Sequence, residues 1–326
     1  MSRTRVISIA LLLLCAIGAG LLAGCGSPAG APKVVRVGFL RNDMHQLAYY
    51  VAREKGFFTG QSLDVREGGT FNAGPEEMSA FSAGELDIGY VGAAPAITFA
   101  SQGMADIKIV AQANMIGSSI VVRPGLDVAD VNGLKGRTVA IPGVSTMQDF
   151  ILHKGLAEAG VDPTELKTIV VKPPEMIATL AGGQIDAAVV WEPYPTMAVS
   201  QNAGRVLITS AKILPHHPCC MVVVDSKFLK DNPDIVKRFI AAHIKATDYI
   251  NANKLEAADM AHLFTGQDGA ITKAAMKNIE YEYVPSIKAI QSYVEFMNQS
   301  GVVKAKDPAA FTRSLVDTSF TGGSGK

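Results

Sequence analysis

Pro215-His216-His217-Pro218-Cys219-Cys220 packs more ligand chemistry into a short stretch than any other part of this 326-residue chain. Two imidazoles and two thiols side by side are the donor types that hold a thiophilic metal. Their spacing argues against all four meeting one ion, because adjacent residues of an extended chain point to opposite faces. Cys219 and Cys220 also read as small buried residues entering a strand, as a solute contact, or as a strained vicinal disulfide. His216, His217, Cys219 and Cys220 therefore stand as metal candidates only, and no resident metal or cofactor is assigned. No recognisable catalytic set accompanies them. There is no Gly-x-Ser-x-Gly elbow, no phosphate-binding loop and no paired-histidine helix motif. His153, His243 and His262 fall on separate predicted helices and read as surface or packing residues. The chain reads as a binder, not an enzyme.

A second reactive residue lies near the N-terminus. Arg3 and Arg5 precede an apolar run, Ile7 to Leu14, too short to span a bilayer comfortably, and the segment closes on Leu22-Ala23-Gly24-Cys25. This is the grammar of a secretory signal whose cut leaves Cys25 as a lipid-modified N-terminus. Residues 1–24 are then the signal peptide and 25–33 a Gly/Ser/Pro tether. The body would work outside the cytoplasm, anchored to a bacterial membrane. With Cys15 in the signal and Cys25 lipidated, only Cys219 and Cys220 of the four cysteines remain. Two adjacent thiols cannot staple a fold, so burial must stabilise it. Lysine plus arginine equal aspartate plus glutamate, 30 against 30, which gives no footing for nucleic acid.

An internal repeat sets the architecture. Glu77-Met78-Ser79-Ala80-Phe81-Ser82-Ala83-Gly84 is echoed by Glu175-Met176-Ile177-Ala178-Thr179-Leu180-Ala181-Gly182. Each copy runs into a short strand bearing one aspartate, Asp87 or Asp186, and then a proline turn at Pro95 or Pro193. With the strand and amphipathic helix upstream, each copy reads β-α-β-α-β. Such a pattern predicts an α/β protein of two lobes, each an open, mostly parallel sheet flanked by helices, with the ligand cleft between them. The expected partition is 34–122 for the first part of lobe 1 and 123–218 for lobe 2. Residues 219–326 supply the return crossing, the remainder of lobe 1 and C-terminal helices. Hinge rotations are expected near Gly117 and Cys219.

Several motifs carry a family resemblance. They are Tyr49-Tyr50-Val51-Ala52-Arg53-Glu54-Lys55-Gly56-Phe57-Phe58, Gly84-Glu85-Leu86-Asp87-Ile88-Gly89, Leu134-Lys135-Gly136-Arg137-Thr138-Val139-Ala140, Gly183-Gln184-Ile185-Asp186-Ala187 with Trp191-Glu192-Pro193, and Phe228-Leu229-Lys230-Asp231-Asn232-Pro233. On these the mature chain resembles the substrate-binding proteins of ABC importers for sulfonates, taurine and nitrate, a superfamily that also holds the thiamine-pyrimidine synthases. The resemblance implies a type II periplasmic-binding-protein fold and a monomer that hands a small solute to a permease and its ATPase. In the synthases a longer cysteine-rich run, tied to iron, sits where this chain keeps only Cys219 and Cys220.

Contacts with a solute are expected from loops at strand ends and from first turns of helices. Gly92, Ala93 and Ala94 in lobe 1, and Ser145 and Thr146 in lobe 2, would present backbone N–H groups and hydroxyls to an anion. They are equally the residues of ordinary helix caps. Ser118 and Ser119 sit at the crossing. Asp43, His45 and Gln46 belong to a polar loop that the resemblance brings into the cleft. Trp191, the single tryptophan, would form a flat wall. Glu192 would suit an amine or ring N–H and would oppose a bare oxoanion. Sulfonate, taurine or nitrate is the expected solute class. A thiamine-precursor pyrimidine is the alternative receptor ligand, and a metal-dependent synthase-like enzyme the alternative of another kind.

Overall fold

Two runs of Val- and Ile-rich strands build two five-stranded sheets, described here from a computed structural model covering residues 33–322. The signal segment 1–24, Cys25 and nearly all of the tether lie outside the described residues. In the first sheet β1 (Val34–Leu40) pairs in parallel with β2 (Asp64–Phe71) and β3 (Ile88–Gly92). In the second, β7 (Thr138–Ile141) pairs in parallel with β8 (Lys167–Val170) and β9 (Ala187–Trp191). Every residue of β3 and β9 is buried, as continuous apolar strands with both faces covered require.

The helices repeat in step. Helices α1 (Leu47–Glu54), α2 (Gly74–Ser82) and α3 (Ala93–Ser101) follow β1, β2 and β3. Helices α4 (Met147–Ala159), α5 (Pro173–Ala181) and α6 (Tyr194–Ser200) follow β7, β8 and β9. The paired aspartates have the same structural task in both copies. Asp87 exchanges backbone and side-chain bonds with Arg36 of β1: its N–H donates to the Arg36 carbonyl and its Oδ2 accepts from the Arg36 N–H. Asp186 does the same with Thr138 of β7. A guanidinium closes each pair, Arg36 at 2.7 Å and Arg123 at 3.0 Å. The repeat is thus a device for aligning the first and third strands.

Both sheets are mostly parallel, as the repeat predicts, and each is mixed by one strand that runs against the others. The cause is the double crossing. Strand β4 (Ile107–Gln112) and β11 (Cys220–Asp225) lie together in the first sheet, with β11 antiparallel to both β3 and β4. Strand β6 (Ser118–Val122) joins the second sheet, antiparallel to β9 and to the edge strand β10 (Arg205–Thr209). The strand that enters each sheet from the other one, β11 or β6, runs against the parallel winding, whereas β4 and β10 on its far side run with it. Residues 118–122 accordingly pair with the second sheet, rather than with the first lobe to which 34–122 are assigned above.

The crossings run side by side. Ile116 N–H donates to the His217 carbonyl at 3.0 Å, and Cys219 N–H donates to the Asn114 carbonyl at 3.0 Å. A short strand β5 (Met115–Ile116) also pairs with β12 (Ile279–Glu280). Ile116 and Gly117 adopt φ of 52° and 92°. That left-handed kink is affordable at Gly117, where a Cβ would sit 2.3 Å from His45 Nε2. It is a natural place for backbone rotation.

The C-terminal helices pack mainly against the first lobe. In α7 (Pro233–Ala252), fully buried His243 donates from Nε2 to the Gln112 carbonyl of β4 at 2.8 Å, which leaves Nδ1 to accept from Tyr90 Oη of β3 at 3.0 Å. The bond accepted from Tyr90 requires neutral imidazole, and burial pushes the His243 pKa down to about 4. A pKa depressed in the fold stabilises it above the ordinary value near 6.5, and the gain is lost as pH falls through about 4. The full effect is about 3 kcal/mol. Urea unfolding at pH ~7.5 and ~4.5 should therefore show a stability loss in the parent protein that His243→Gln largely removes. Equal slopes in both proteins would refute this assignment.

Candidate functional site

The first turns of α3 and α4 approach each other from opposite lobes. Ala94 N–H points to the Met147 thioether, with N···S at 3.3 Å, and a Cβ added at Gly92 would come within 3.0 Å of Met147 Cγ. Beneath this contact lies a small pocket between the two sheets. Asp43, His45, Gly92, Thr146 and Trp191 line it, as do Met147, Gln148, Cys219 and Cys220. No lysine or arginine among the described residues does.

The expected residues divide in instructive ways. Asp43 caps the short turn before α1 by accepting from His45 N–H, and Gln46 Nε2 donates to its other oxygen at 3.1 Å. Gln46 also accepts the Leu40 N–H at 2.7 Å. It positions Asp43 without lining the pocket. The Ala93 N–H is taken by the Cys219 carbonyl. Thr146 is a helix cap whose Oγ1 accepts from Asp149 N–H, while Ser145 N–H is bound by the Asp149 carboxylate. Thr146 is thus a helix cap that also lines the pocket. Ser118 Oγ accepts from Gln148 Nε2, and its N–H donates to Ser210 Oγ. Ser119 is buried in the β6 ladder. Ala94 and Ser145 face a neighbouring concavity that also includes Phe150 and Phe296.

Glu192 is buried but does not line the pocket. Its carboxylate accepts from Asn278 Nδ2 at 2.7 Å and from Thr196 N–H at 3.3 Å. It ties the end of β9 to the C-terminal segment beside β12. Burial raises its pKa against the help of these donors. Trp191, in contrast, does form a wall of the pocket, and its Nε1 has no hydrogen-bond partner.

The 215–220 cluster also separates. His216 is exposed and pairs with Glu280, and His217 Nδ1 donates to the Leu214 carbonyl at 2.7 Å. Cys219 and Cys220 turn instead toward His45, 3.4 and 4.0 Å from its Nδ1. They converge because Cys219 precedes the regular part of β11, so strict alternation does not apply to the pair. Both are free thiols. Cys219 is held well below the ordinary thiol range by the Cys220 hydrogen bond, over the opposing effect of burial and with help from His45. Burial lowers the His45 pKa, but Cys219 and Asp43 outweigh it and lift it to about 9. Burial lifts Asp43 to about 7 despite His45. His45 was legible as a polar loop residue, but its partnership with two cysteines far along the chain was not. Met147 and Gln148 were missed, although both directly follow Thr146 in the same first turn.

If Glu192 is a tether, Asn278→Ala should cost about 1–2 kcal/mol of stability and leave solute affinity within about twofold. Thermal unfolding alongside a binding titration reads both quantities. A large affinity loss at unchanged stability would put Glu192 back in the cleft.

Residues 29–265 match the model of the NMT1-like family. A Bacillus subtilis (strain 168) protein provisionally named for aliphatic sulfonate binding is 28% identical over 316 residues, covering 92% of each chain. The taurine-binding periplasmic protein of Escherichia coli (strain K12) is 28% identical over 197 residues, 60% of this chain and 59% of that one. Among solved structures, the alkanesulfonate-binding protein SsuA from Xanthomonas axonopodis pv. citri, bound to MOPS, superposes with a TM-score of 0.78. It is 18% identical and covers 89% of this chain and 100% of that one. The periplasmic nitrate-binding protein NrtA from Synechocystis PCC 6803 gives 0.78 at 18% identity, covering 89% and 87%. The fold is that of the periplasmic binding proteins, its relatives are solute-binding components of transport systems, and the chain belongs to the NMT1-like family.

Proposed function

We propose that this chain is the lipid-anchored, extracytoplasmic solute-binding component of an ABC importer, with no catalytic turnover of its own. It would deliver a small sulfonate-, taurine- or nitrate-class solute to a permease and its ATPase. The observation that carries the reading is a buried, unserved N–H donor in a pocket between the two sheets. Trp191 lines that pocket, and its Nε1–H meets no acceptor among the described residues. An oxyanion head would satisfy it, and in the concavity alongside Ala94 N–H meets only a thioether, a weak acceptor. The named relatives support the same class.

Within that class the pocket favours a zwitterion over a bare oxoanion. Asp43 lines it, and among the described residues no lysine or arginine does. An aminosulfonate such as taurine places an ammonium group near the carboxylate and its sulfonate at the helix ends. Proposed contacts are Asp43, His45, Gly92, Ala94, Thr146 and Trp191, with Gln148 added.

Trp191 is the sole tryptophan, so its fluorescence reports on the pocket directly. Titration with taurine, alkanesulfonates, nitrate and pyrimidines should give saturable changes with the sulfonates, tightest for taurine. Asp43→Asn should weaken taurine about tenfold or more while sparing the simple alkanesulfonates. Saturation by pyrimidines alone would transfer the assignment to the heteroaromatic class, and no response to any solute would remove the receptor reading. For the anchor, palmitate labelling in cells should mark the parent chain and not Cys25→Ala. Label on both would place the lipid elsewhere.

A further inference from the structure

We infer that His45 Nδ1, Cys219 Sγ and Cys220 Sγ form a binding site for a thiophilic d10 cation, Zn²⁺ or Cu⁺, on the floor of the cleft. The site does not depend on the nature of the solute. Three independent observations carry it.

The first is spacing. The three donor atoms lie within 4.8 Å of one another, with the two N···S separations at 3.4 and 4.0 Å. A tetrahedral ion with ordinary zinc–nitrogen and zinc–sulfur bonds sets that edge at about 3.6 Å. The donors thus stand where a metal would hold them, with little rearrangement.

The second is orientation. His45 Nε2 lies 3.1 Å from the Gly117 carbonyl, which can only accept, so Nε2 carries a proton and Nδ1 is the nitrogen free to ligate. A ring held through its other N–H by a backbone carbonyl is the usual outer support of a metal-ligating histidine. Gly117 is required for this approach, since any Cβ there would collide with the ring.

The third is charge. Asp43 lies 3.6 Å from the same Nδ1, and its one ion pair among the described residues is with His45. Two thiols and this carboxylate are buried around a single imidazole, and no lysine or arginine among the described residues lines the pocket. A cation taken up in place of the thiol protons would be balanced by the two sulfurs and the carboxylate. Two thiolates with one imidazole are also the donors that select zinc or cuprous copper over magnesium or calcium. Three protein ligands leave a fourth position, which faces the pocket lined by Met147, Gln148 and Trp191.

The test uses the purified full-length chain under reducing conditions. Addition of Co²⁺, a spectroscopic stand-in for zinc, should produce thiolate-to-cobalt charge-transfer absorption and intense tetrahedral ligand-field bands, displaced by one equivalent of Zn²⁺. Competition with chromophoric chelators, separately for Zn²⁺ and Cu⁺, gives the affinities. His45→Gln, Cys219→Ser and Cys220→Ser should each weaken binding at least a hundredfold, while His216→Gln should not. Absence of thiolate–cobalt absorption in the parent protein overturns the site without reference to any variant's folding. So does binding that survives Cys219→Ser/Cys220→Ser or is lost with His216→Gln. The solute titration of Trp191 is a separate readout, so failure of the metal site and failure of the receptor reading are distinguishable.

Discussion

The paired crossing between the two sheets is the constraint on which the rest of this protein depends. Strands β4 and β6 are separated by five residues, and β11 returns directly alongside. Backbone bonds between Ile116 and His217 and between Cys219 and Asn114 lash the two connections together. Each lobe can then be wound independently while its neighbour stays within reach. The antiparallel strands in each sheet, the kink at Ile116–Gly117 and the placement of both pocket walls all follow from this arrangement.

His45 sits against both crossings at once. Its Nε2 engages Gly117 on the outgoing segment and its Nδ1 faces Cys219 on the returning one. Asp43 and Gln46 hold the ring's loop through buried side-chain bonds. A polar cluster so deeply buried is costly unless every member is paired. The chain meets that demand with an imidazole set between thiols and a carboxylate. Any motion of one lobe about the crossing must therefore pass through the same group of atoms that forms the pocket floor. The pocket floor and the crossing thus share the same residues.

The repeated half-lobes show how a duplicated unit diverges toward a site. Asp87 and Asp186 keep identical backbone exchanges with the first strand of their copy. Glu77 and Glu175 do not keep a common role. Glu77 is fully buried beneath the glycines of β1 and β3, whereas Glu175 is exposed at the surface of α5. Polar residues retained for alignment recur in both lobes, and those committed to the pocket floor occur once.

The amino-acid sequence by itself determined the winding of each lobe. Apolar β3 and β9, the helices between strands, the matched aspartates and the proline turns are local or nearly local signals, and periodicity carries them. It also singled out the polar loop at Asp43–Gln46, the first turns at Gly92–Ala94 and Ser145–Thr146, and Trp191 as candidates. Only the tertiary structure decided strand direction at the crossings. Whether Ser118–Val122 closes the first sheet or opens the second depends on pairing partners far apart in the chain. The same limit applies to Glu192, whose partner Asn278 is 86 residues away, and to His45, 174 residues from Cys219. Sequence spacing describes neighbours along the backbone. A site assembled from three segments of the chain is set by packing and by the need to pair buried polar groups, and neither leaves a local pattern to read.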